Sequence, residues 1–357
     1  MERVYNFAPG PSALPLSVLE RAQQEMTCCG SSGMSVMEMS HRSPAYQRIY
    51  DDAVARLRAL MHIPEKYAVL FMHGGATMEF TAVPLNLSVK GCADYIDSGN
   101  FAHVAAVEAE KYTRVHIPAS SREENYVCIP DWRGKLDPDA DYVHITTNNT
   151  IYGTRYVELP ETGGVPLVAD MSSNILSEPY DVTRFGAIYA GAQKNIGPSG
   201  VAVLIVRRDL LGHADTKCPK LLDWALQEKN GSMINTPNTW AIYLCGLCLE
   251  WLQNQGGVEA IEKVNIEKAK LLYDFLDESR LFKPTARREF RSRMNVTFVT
   301  GEAELDAAFV AEAKAAGLVN LKGHRSVGGM RASIYNAMPI EGVQALVDFM
   351  KRFEAAH

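Results

Sequence analysis

The stretch AGAQKNIGPSG, residues 190 to 200, places a single lysine, Lys194, among small and uncharged side chains. A lysine amine whose charge is disfavoured by desolvation or by nearby cations can form a Schiff base with an aldehyde. Small neighbours leave room for a flat ring beside that amine. An isolated lysine of this kind is more often a solvated loop residue, so its interpretation depends on what else reaches the same place.

A carboxylate is the second group of interest, because Asp170 ends the apolar run VPLVAD. Such a run predicts a buried strand, and open α/β sheets place ligand contacts at the carboxyl ends of parallel strands. Lys194 follows the next strand-like run, so its amine could reach the same crevice. A buried aspartate is costly unless a cation pairs with it, and a protonated pyridine nitrogen would serve.

A third feature is HGGATMEF at residue 73, which follows the strand-like run YAVLFM and opens a helical segment. Backbone N–H groups at a helix start can bind phosphate without a basic side chain. On this stretch alone, a plain strand-to-helix turn is an equal alternative. No G-x-G-x-x-G motif follows the first strand-like run, and no P-loop signature is present, which disfavours a dinucleotide site. A phosphate site, a pyridinium-pairing aspartate and a Schiff-base lysine are together what pyridoxal 5'-phosphate requires.

The elements that must position these groups are predicted from short apolar runs between residues 67 and 206. Their length and β-branched content are typical of strands buried on both faces, which predicts an α/β fold whose mainly parallel sheet is covered by helices. The runs at 186 and 201 are joined by a short segment, so we expect at least one antiparallel strand. A helix containing Ser17-Val-Leu-Glu20 is expected to begin with a capping box.

A change in pattern after Gly256-Gly257 indicates a second unit, in which a long amphipathic helix precedes alternating strand and helix patterns. We therefore predict an N-terminal arm over residues 1–15, a large α/β domain over 16–258 and a small α+β domain over 259–357.

Composition limits the classes of function. The chain has 357 residues, 47% of them hydrophobic and 22% charged, with a net charge of -6 and no long basic run, which argues against nucleic acid or anionic membrane as the main partner. The apolar runs are too short to span a bilayer, and Met1-Glu2-Arg3 does not lead into a signal peptide, so a cytoplasmic protein is expected. Seven cysteines at irregular spacings fit reduced thiols. We interpret Cys245 and Cys248 as buried helix residues and expect no metal site.

Read as a whole, the chain resembles the phosphoserine aminotransferase family, fold-type I enzymes of class V that depend on pyridoxal 5'-phosphate. The resemblance runs from end to end and implies that family's fold. The segments that carry it are NFAPGPSALP at 6, MEMSHRS at 37, HGGATMEF at 73, VPLNL at 83, NNTIYGT at 148, AQKNIGPSG at 192, INTPNT at 234 and LKGHRSVGGMRASIYNAM at 321.

The resemblance implies roles for the residues that bind the cofactor. Lys194 would form the Schiff base, Asp170 would pair with the ring nitrogen, and Gln193 and Thr150 would be polar contacts. Phe101 falls where many members have a tryptophan stacked on the ring, which leaves a smaller stacking face. The remaining implied cofactor contacts are Ala76 and Thr77 at the phosphate, and Asn235 and Thr236, which reach it from the other subunit of a homodimer.

Substrate recognition is implied for basic residues. His41-Arg42 and His324-Arg325 would bind the substrate phosphate together across the dimer interface, although such a dipeptide alone is most often a solvated surface feature. Arg331 would bind the α-carboxylate; its alternative is a strand-end arginine paired with a structural carboxylate.

The implied reaction is the reversible exchange of 3-phosphohydroxypyruvate and L-glutamate for O-phospho-L-serine and 2-oxoglutarate, in serine biosynthesis. Activity on 4-phosphohydroxy-L-threonine in pyridoxine biosynthesis is implied as well. The alternatives are an alanine–glyoxylate aminotransferase, a cysteine desulfurase, or a protein that binds pyridoxal phosphate without catalysis.

Overall fold

The computed structural model describes residues 3–357 of the chain, which form a large sheet covered by helices and a smaller unit beside it. The strands are β1 (Tyr5–Asn6), β2 (Tyr67–His73), β3 (Cys92–Tyr95), β4 (Arg114–His116), β5 (Val143–Thr146), β6 (Asn148–Asn149), β7 (Thr154–Arg155), β8 (Leu167–Asp170), β9 (Ala187–Gly191), β10 (Val201–Arg207), β11 (Lys283–Pro284), β12 (Asn295–Val299), β13 (Leu318–Val319) and β14 (Met330–Ser333). The α-helices are α1 (Leu16–Gln24), α2 (Pro44–Leu60), α3 (Ala76–Leu87), α4 (Asn100–Ala109), α5 (Trp224–Lys229), α6 (Thr239–Asn254), α7 (Gly257–Glu278), α8 (Ala303–Ala315) and α9 (Ile340–Ala356).

The large sheet has seven strands in the order β2-β10-β9-β8-β5-β3-β4. Only β10 runs antiparallel to its neighbours; the other pairs are parallel. The prediction of a mainly parallel sheet interrupted by an antiparallel strand is therefore confirmed. Alternate residues of β2 face opposite hydrophobic clusters, one shared with α2 and α6 and the other with α3 and α4, which explains why the strands are apolar along their whole length.

The parallel order brings the predicted functional groups to one edge of this sheet. Asp170 is the last residue of β8, where it pairs in register with Thr146 of β5 and Tyr189 of β9. The chain leaves β9 at Gly191 and reaches Lys194 directly afterwards. The expectation that both groups follow neighbouring parallel strands is confirmed.

The smaller unit packs α7, α8 and α9 against the antiparallel sheet β11-β12-β14. The N-terminal arm joins this unit, because β1 pairs with β13 and Phe7 is buried in its core. Helix α7 belongs to both cores, since Ile261 packs in the large cluster and Leu272 in the small one. The domain limits at residues 15 and 258 stay a prediction.

The predicted capping box at Ser17 and Glu20 is wrong. Helix α1 begins at Leu16, its N-cap is Pro15, and no side chain caps it. Because the helix starts before Ser17, that serine lies within the first turn and lacks the extended backbone that a capping residue needs. A capping box forms instead where Ser35 and Glu38 open a short 3₁₀ helix.

The cysteine pair lies where the sequence predicted it. Cys245 and Cys248 are buried within α6, and burial raises the pKa of both thiols, that of Cys248 to about 12. Over residues 3–357, no helix is both long enough and apolar enough to cross a membrane.

One buried acid stands out in the second core. Glu79, in the first turn of α3, is 0% exposed, and neither of its carboxylate oxygens has a hydrogen-bond partner in the described part of the chain. Burial raises the pKa of Glu79 to about 8. The acid is therefore mostly protonated at neutral pH.

Replacement of Glu79 by glutamine should stabilise the protein more at pH 8 than at pH 5. Between the ordinary glutamate pKa of about 4.3 and pH 8, the folded chain keeps a proton that the unfolded chain releases, so the wild-type free energy of unfolding falls as the pH rises. Glutamine cannot ionise and is free of this dependence. Urea unfolding at several pH values measures the difference. The exposed Glu304 in α8 provides the control, Glu304→Gln; the same pH trend in both variants would contradict the assignment.

Candidate active site

A cavity of about 220 Å³ opens at the carboxyl ends of β8 and β9. The arm, the start of α3 and the small unit complete its walls. Of the residues predicted from the sequence, those that line it are Ala76, Thr77, Phe101, Thr150, Asp170, Gln193, Lys194, His324 and Arg331.

Lys194 points its amine into this cavity. Its Nζ donates a hydrogen bond to the Thr150 hydroxyl at 2.8 Å and lies 5.8 Å from the centre of the Phe101 ring. Burial, together with the positive charge of Arg331, lowers the pKa of Lys194 to about 8, while Asp170 opposes the shift. About a tenth of the amine is therefore uncharged at pH 7, far more than for an ordinary lysine, and the uncharged form is the nucleophile.

Asp170 presents a carboxylate that is buried at the bottom of the cavity. One oxygen accepts a hydrogen bond from the backbone N–H of Ser172 at 2.8 Å, and the Ser172 hydroxyl in turn accepts one from Gly191 at 3.1 Å. Burial raises the pKa of Asp170, against the opposing effects of Ser172 and Lys194. A cationic nitrogen brought to this carboxylate would reverse that shift.

The start of α3 is open toward the cavity. Its N-cap is Gly75, and no side chain caps the first turn. Gly74 has a φ of +86°, a left-handed conformation that lets the chain pass from β2 into the helix within two residues. The uncapped N–H groups beside Ala76 and Thr77 form a site for an anion, favoured by the helix dipole.

Arg331 lies in β14 and is only 5% exposed. Its Nη1 donates to the backbone carbonyl of Thr150 at 3.2 Å, and its Nε has no partner within residues 3–357. Burial lowers the pKa of the guanidinium. Within residues 3–357 no carboxylate pairs with Arg331, which leaves the guanidinium able to receive a carboxylate from a ligand.

His324 borders the cavity, and its Nδ1 lies 2.7 Å from the Ser326 hydroxyl. Burial, followed by the charges of Arg331 and Arg325, lowers the pKa of this imidazole. The imidazole of His324 therefore favours its neutral form, and a bound anion would stabilise the protonated form.

Other predicted residues lie outside the cavity lining of this chain. His41 is buried, and its Nε2 has no partner in the described part of the chain, whereas the rest are exposed. Their roles, which the resemblance assigns to a dimer interface, stay predictions. The residues in question are His41, Arg42, Arg325, Asn235 and Thr236.

The N-terminal arm contributes contacts that the sequence did not reveal. Ser12 donates from its hydroxyl to the Lys194 carbonyl at 2.6 Å and from its backbone N–H to the Gln193 carbonyl at 3.0 Å. Gly10 has a φ of +141°, and a Cβ there would lie 3.4 Å from the Cγ atoms of both residues. The sequence feature that could have indicated these contacts is the segment NFAPGPSALP at residue 6, which belongs to the family resemblance. The further lining residues that were missed are Pro9, Gly10, Gly75, Phe80, Ile151 and Ser172.

The cavity fits pyridoxal 5'-phosphate. It combines an amine with a lowered pKa, a buried carboxylate and an uncapped helix start, and the buried Gln193 Oε1 and Arg331 Nε lack partners in the described chain. Because these two atoms belong to residues that line a cavity, a bound ligand would explain why they lack protein partners.

This sheet and this set of groups define a fold-type I enzyme that depends on pyridoxal phosphate. The sequence pattern of the family Aminotransferase class-V matches residues 4–346, so the chain belongs to that family. A curated Bacillus cereus protein named phosphoserine aminotransferase is 56% identical over 99% of both chains. Two solved structures agree: one described as showing radiation damage of the Schiff base in phosphoserine aminotransferase (48% identity, TM-score 0.98, 100% of both chains), and the phosphoserine aminotransferase of Bacillus circulans subsp. alkalophilus (45%, TM-score 0.97, 100% of this chain and 99% of that one).

Covalent capture of pyridoxal phosphate by Lys194 should accelerate between pH 7 and pH 9 and then level off, because the uncharged amine is the reactive form and its pKa is about 8. The Asp170→Asn substitution removes a negative charge that raises this pKa, so the midpoint should move to lower pH. Stopped-flow absorbance of the apoenzyme mixed with pyridoxal phosphate measures the rate. Lys194→Ala is the control that should give no covalent product. A capture rate that keeps rising to pH 10 would indicate an ordinary lysine pKa and would contradict the lowered pKa of Lys194.

Proposed function

We propose that this protein is a phosphoserine aminotransferase, which converts 3-phosphohydroxypyruvate and L-glutamate reversibly into O-phospho-L-serine and 2-oxoglutarate. The observation that carries the proposal is the unpaired Arg331 guanidinium beside the Lys194 amine, in a chain 56% identical to a curated phosphoserine aminotransferase. An amino acid needs one cation for its α-carboxylate and a base near its α-carbon, and this cavity offers both.

When bound, pyridoxal phosphate supplies the electron sink that allows the α-carbon to lose its proton. Lys194 acts as the general base that takes this proton, and its lowered pKa keeps the amine available for the task. Asp170 holds the positive charge of a ring nitrogen at the bottom of the cavity. Arg331 binds the α-carboxylate and thereby fixes which face of the α-carbon Lys194 meets.

Selectivity for phosphate is assigned to the basic residues around the cavity mouth. His324 borders the cavity, and its pKa is lowered by burial and then by the charges of Arg331 and Arg325. A substrate anion would therefore be drawn into a positively charged region. Because phosphate and the side-chain carboxylate of glutamate are both anions, one region can accept either substrate. With His41 and Arg42 from a second subunit, it would surround the phosphate.

A homodimer with shared sites is part of this proposal. Phe101, Val104 and Val107 form an exposed apolar stripe along α4 at a spacing of three residues, next to the cavity. Exposed apolar stripes of this kind favour a protein–protein interface. Asn235 and Thr236 are exposed in the loop before α6, where a second subunit could use them as phosphate contacts. The cytoplasmic location and the second substrate in pyridoxine biosynthesis stay predictions.

The enzymatic alternatives are less well supported. A cysteine desulfurase needs a cysteine nucleophile near the cofactor, and none of the seven free cysteines lines the cavity. An alanine–glyoxylate aminotransferase has no use for a basic region at the side-chain end of the substrate. A protein that only binds pyridoxal phosphate would not need the buried Arg331 guanidinium, whose Nε has no partner within residues 3–357.

Phosphoserine should convert the visible absorbance of the bound cofactor into that of its amino form, and serine should do so poorly, because only phosphoserine offers the second anion. Absorbance spectra before and after each addition measure this half-reaction. An equal response to both amino acids would contradict the proposed recognition of the substrate phosphate.

Arg325→Ala should raise the KM for phosphoserine by about tenfold to a hundredfold, the range for a lost charge-assisted hydrogen bond, with little effect on the KM for alanine. Steady-state kinetics of the variant with both substrates measures this.

Mixed subunits should recover activity that neither variant has alone. Lys194→Ala removes the base, and Arg42→Ala weakens phosphate binding in the site of the other subunit. In an equal mixture of exchanged subunits, about a quarter of the sites would combine both intact residues. Activity at low phosphoserine concentration, measured after subunit exchange, tests this. Failure to exceed the sum of the two separate variants would place Arg42 and Lys194 of one site on the same chain.

A further inference from the structure

The turn that follows Asp170 adopts an unusual backbone. Residues 171–177 leave the end of β8, and within them Leu176 has a φ of +62° although it is not glycine. This left-handed conformation is unfavourable for a residue with a side chain, and it persists only where the surroundings impose it. Leu176 is 1% exposed, so those surroundings are protein.

Three asparagine side chains impose this conformation. Each donates from Nδ2 to one of three consecutive backbone carbonyls in the turn, and the three asparagines come from distant parts of the chain. We call them the asparagine cluster. Its bonds are Asn195 to Ile175 at 3.0 Å, Asn336 to Leu176 at 2.9 Å, and Asn265 to Ser177 at 3.0 Å.

The members of the cluster also bind one another. The Asn195 Oδ1 accepts from the backbone N–H of Asn336 at 3.0 Å, and the Asn336 Oδ1 accepts from Asn265 at 2.9 Å. Asn265 is 0% exposed and Asn336 is 5% exposed. All three Nδ2 groups and the Oδ1 atoms of Asn195 and Asn336 are bonded, whereas the Asn265 Oδ1 has no partner within residues 3–357. A shift of the turn would leave buried amide donors without acceptors, so these bonds favour one arrangement.

The position of each asparagine along the chain is what links the cluster to chemistry. Asn195 directly follows Lys194, the turn it holds directly follows Asp170, and Asn336 lies five residues after Arg331. Arg331 comes from the sheet of the small unit, and Lys194 comes from the large sheet. The cluster therefore joins the three segments that carry the amine, the carboxylate and the guanidinium.

A buried lysine completes the attachment on the side of the small unit. Lys268 of α7 is 0% exposed, and its Nζ donates to three backbone carbonyls in the segment 334–338. Burial lowers the pKa of Lys268 to about 7. The acceptors are Ile334 at 3.1 Å, Tyr335 at 2.8 Å and Met338 at 3.0 Å.

We propose that Asn195, Asn265 and Asn336 are positioning residues that set the distance between the Arg331 guanidinium and the Lys194 amine. The inference rests on the proposed function, in which Arg331 binds the substrate carboxylate. A displacement of about 1 Å in such a site can cost on the order of a hundredfold in rate. Loss of the cluster should therefore weaken the binding of carboxylate ligands as well as catalysis.

The test compares Asn336→Ala with Asn86→Ala in the enzyme loaded with pyridoxal phosphate. Asn86 is a matched control, since it is 3% exposed and its Nδ2 donates to the Ala82 and Leu222 carbonyls, each at 2.8 Å, away from the cavity lining. The measurements are the Kd of glutarate by calorimetry, KM and kcat for phosphoserine and for glutamate, and the thermal midpoint. Glutarate is a dicarboxylate without an amine, so its affinity reports binding without reaction.

We expect Asn336→Ala to raise the glutarate Kd and both KM values by about tenfold to a hundredfold. Asn86→Ala should lower the thermal midpoint to a similar degree while leaving the glutarate Kd and both KM values within about twofold of wild type. Equal glutarate Kd and KM values in the two variants would overturn the positioning role and leave the cluster as a stabilising feature only. If Asn336→Ala does not fold, Asn195→Ala, whose side chain is only half-buried, is judged by the same criteria.

Measurements on the wild-type enzyme distinguish a failure of the proposed function from a failure of the positioning role. A wild-type enzyme that neither binds glutarate nor transaminates phosphoserine would overturn the proposed function. A wild-type enzyme that does both, with cluster variants that bind glutarate equally well, would overturn the positioning role alone.

Discussion

The structure depends on keeping charged groups buried and unpaired around one cavity. Asp170 is desolvated, Arg331 is buried without a carboxylate partner in the described chain, and Lys194 has a pKa lowered to about 8. Each group would be stabilised by a counter-ion from its neighbours, but the fold holds them apart so that a ligand supplies the counter-ion. Stability is given up in exchange for preorganised binding, a common compromise in active sites.

The topology explains how a single chain tolerates this arrangement. Parallel strands β8 and β9 bring Asp170 and the segment of Lys194 to one edge, while α3 delivers an uncapped helix start to the same place. Arg331 arrives from a separate antiparallel sheet, so its charge reaches the cavity without crossing the large core. The arm closes the remaining side through Gly10 and Ser12, which leave little free space around Lys194.

Local patterns were sufficient to predict the sheet and the ends of its strands, because hydrophobic runs and the position of Asp170 at the end of one are encoded within a few residues. The capping box at Ser17 failed for the same reason: the spacing was present, but Pro15 had already begun the helix. The asparagine cluster could not be predicted, since the bonds of Asn336 to Asn195 and to Leu176 join residues more than a hundred positions apart. The environment of Arg331 was also beyond reach, because the lack of a structural partner is a property of packing.

Lys268 has a consequence for the solution conditions that the protein requires. Its ammonium group is surrounded by three main-chain carbonyl oxygens, an arrangement in which proteins can hold an alkali metal ion. Here the cation is tethered to α7 by its own side chain and cannot exchange with sodium or potassium. Below the pKa of Lys268, about 7, the segment after β14 is thus ordered by a cation that belongs to the chain itself, whichever salt surrounds it.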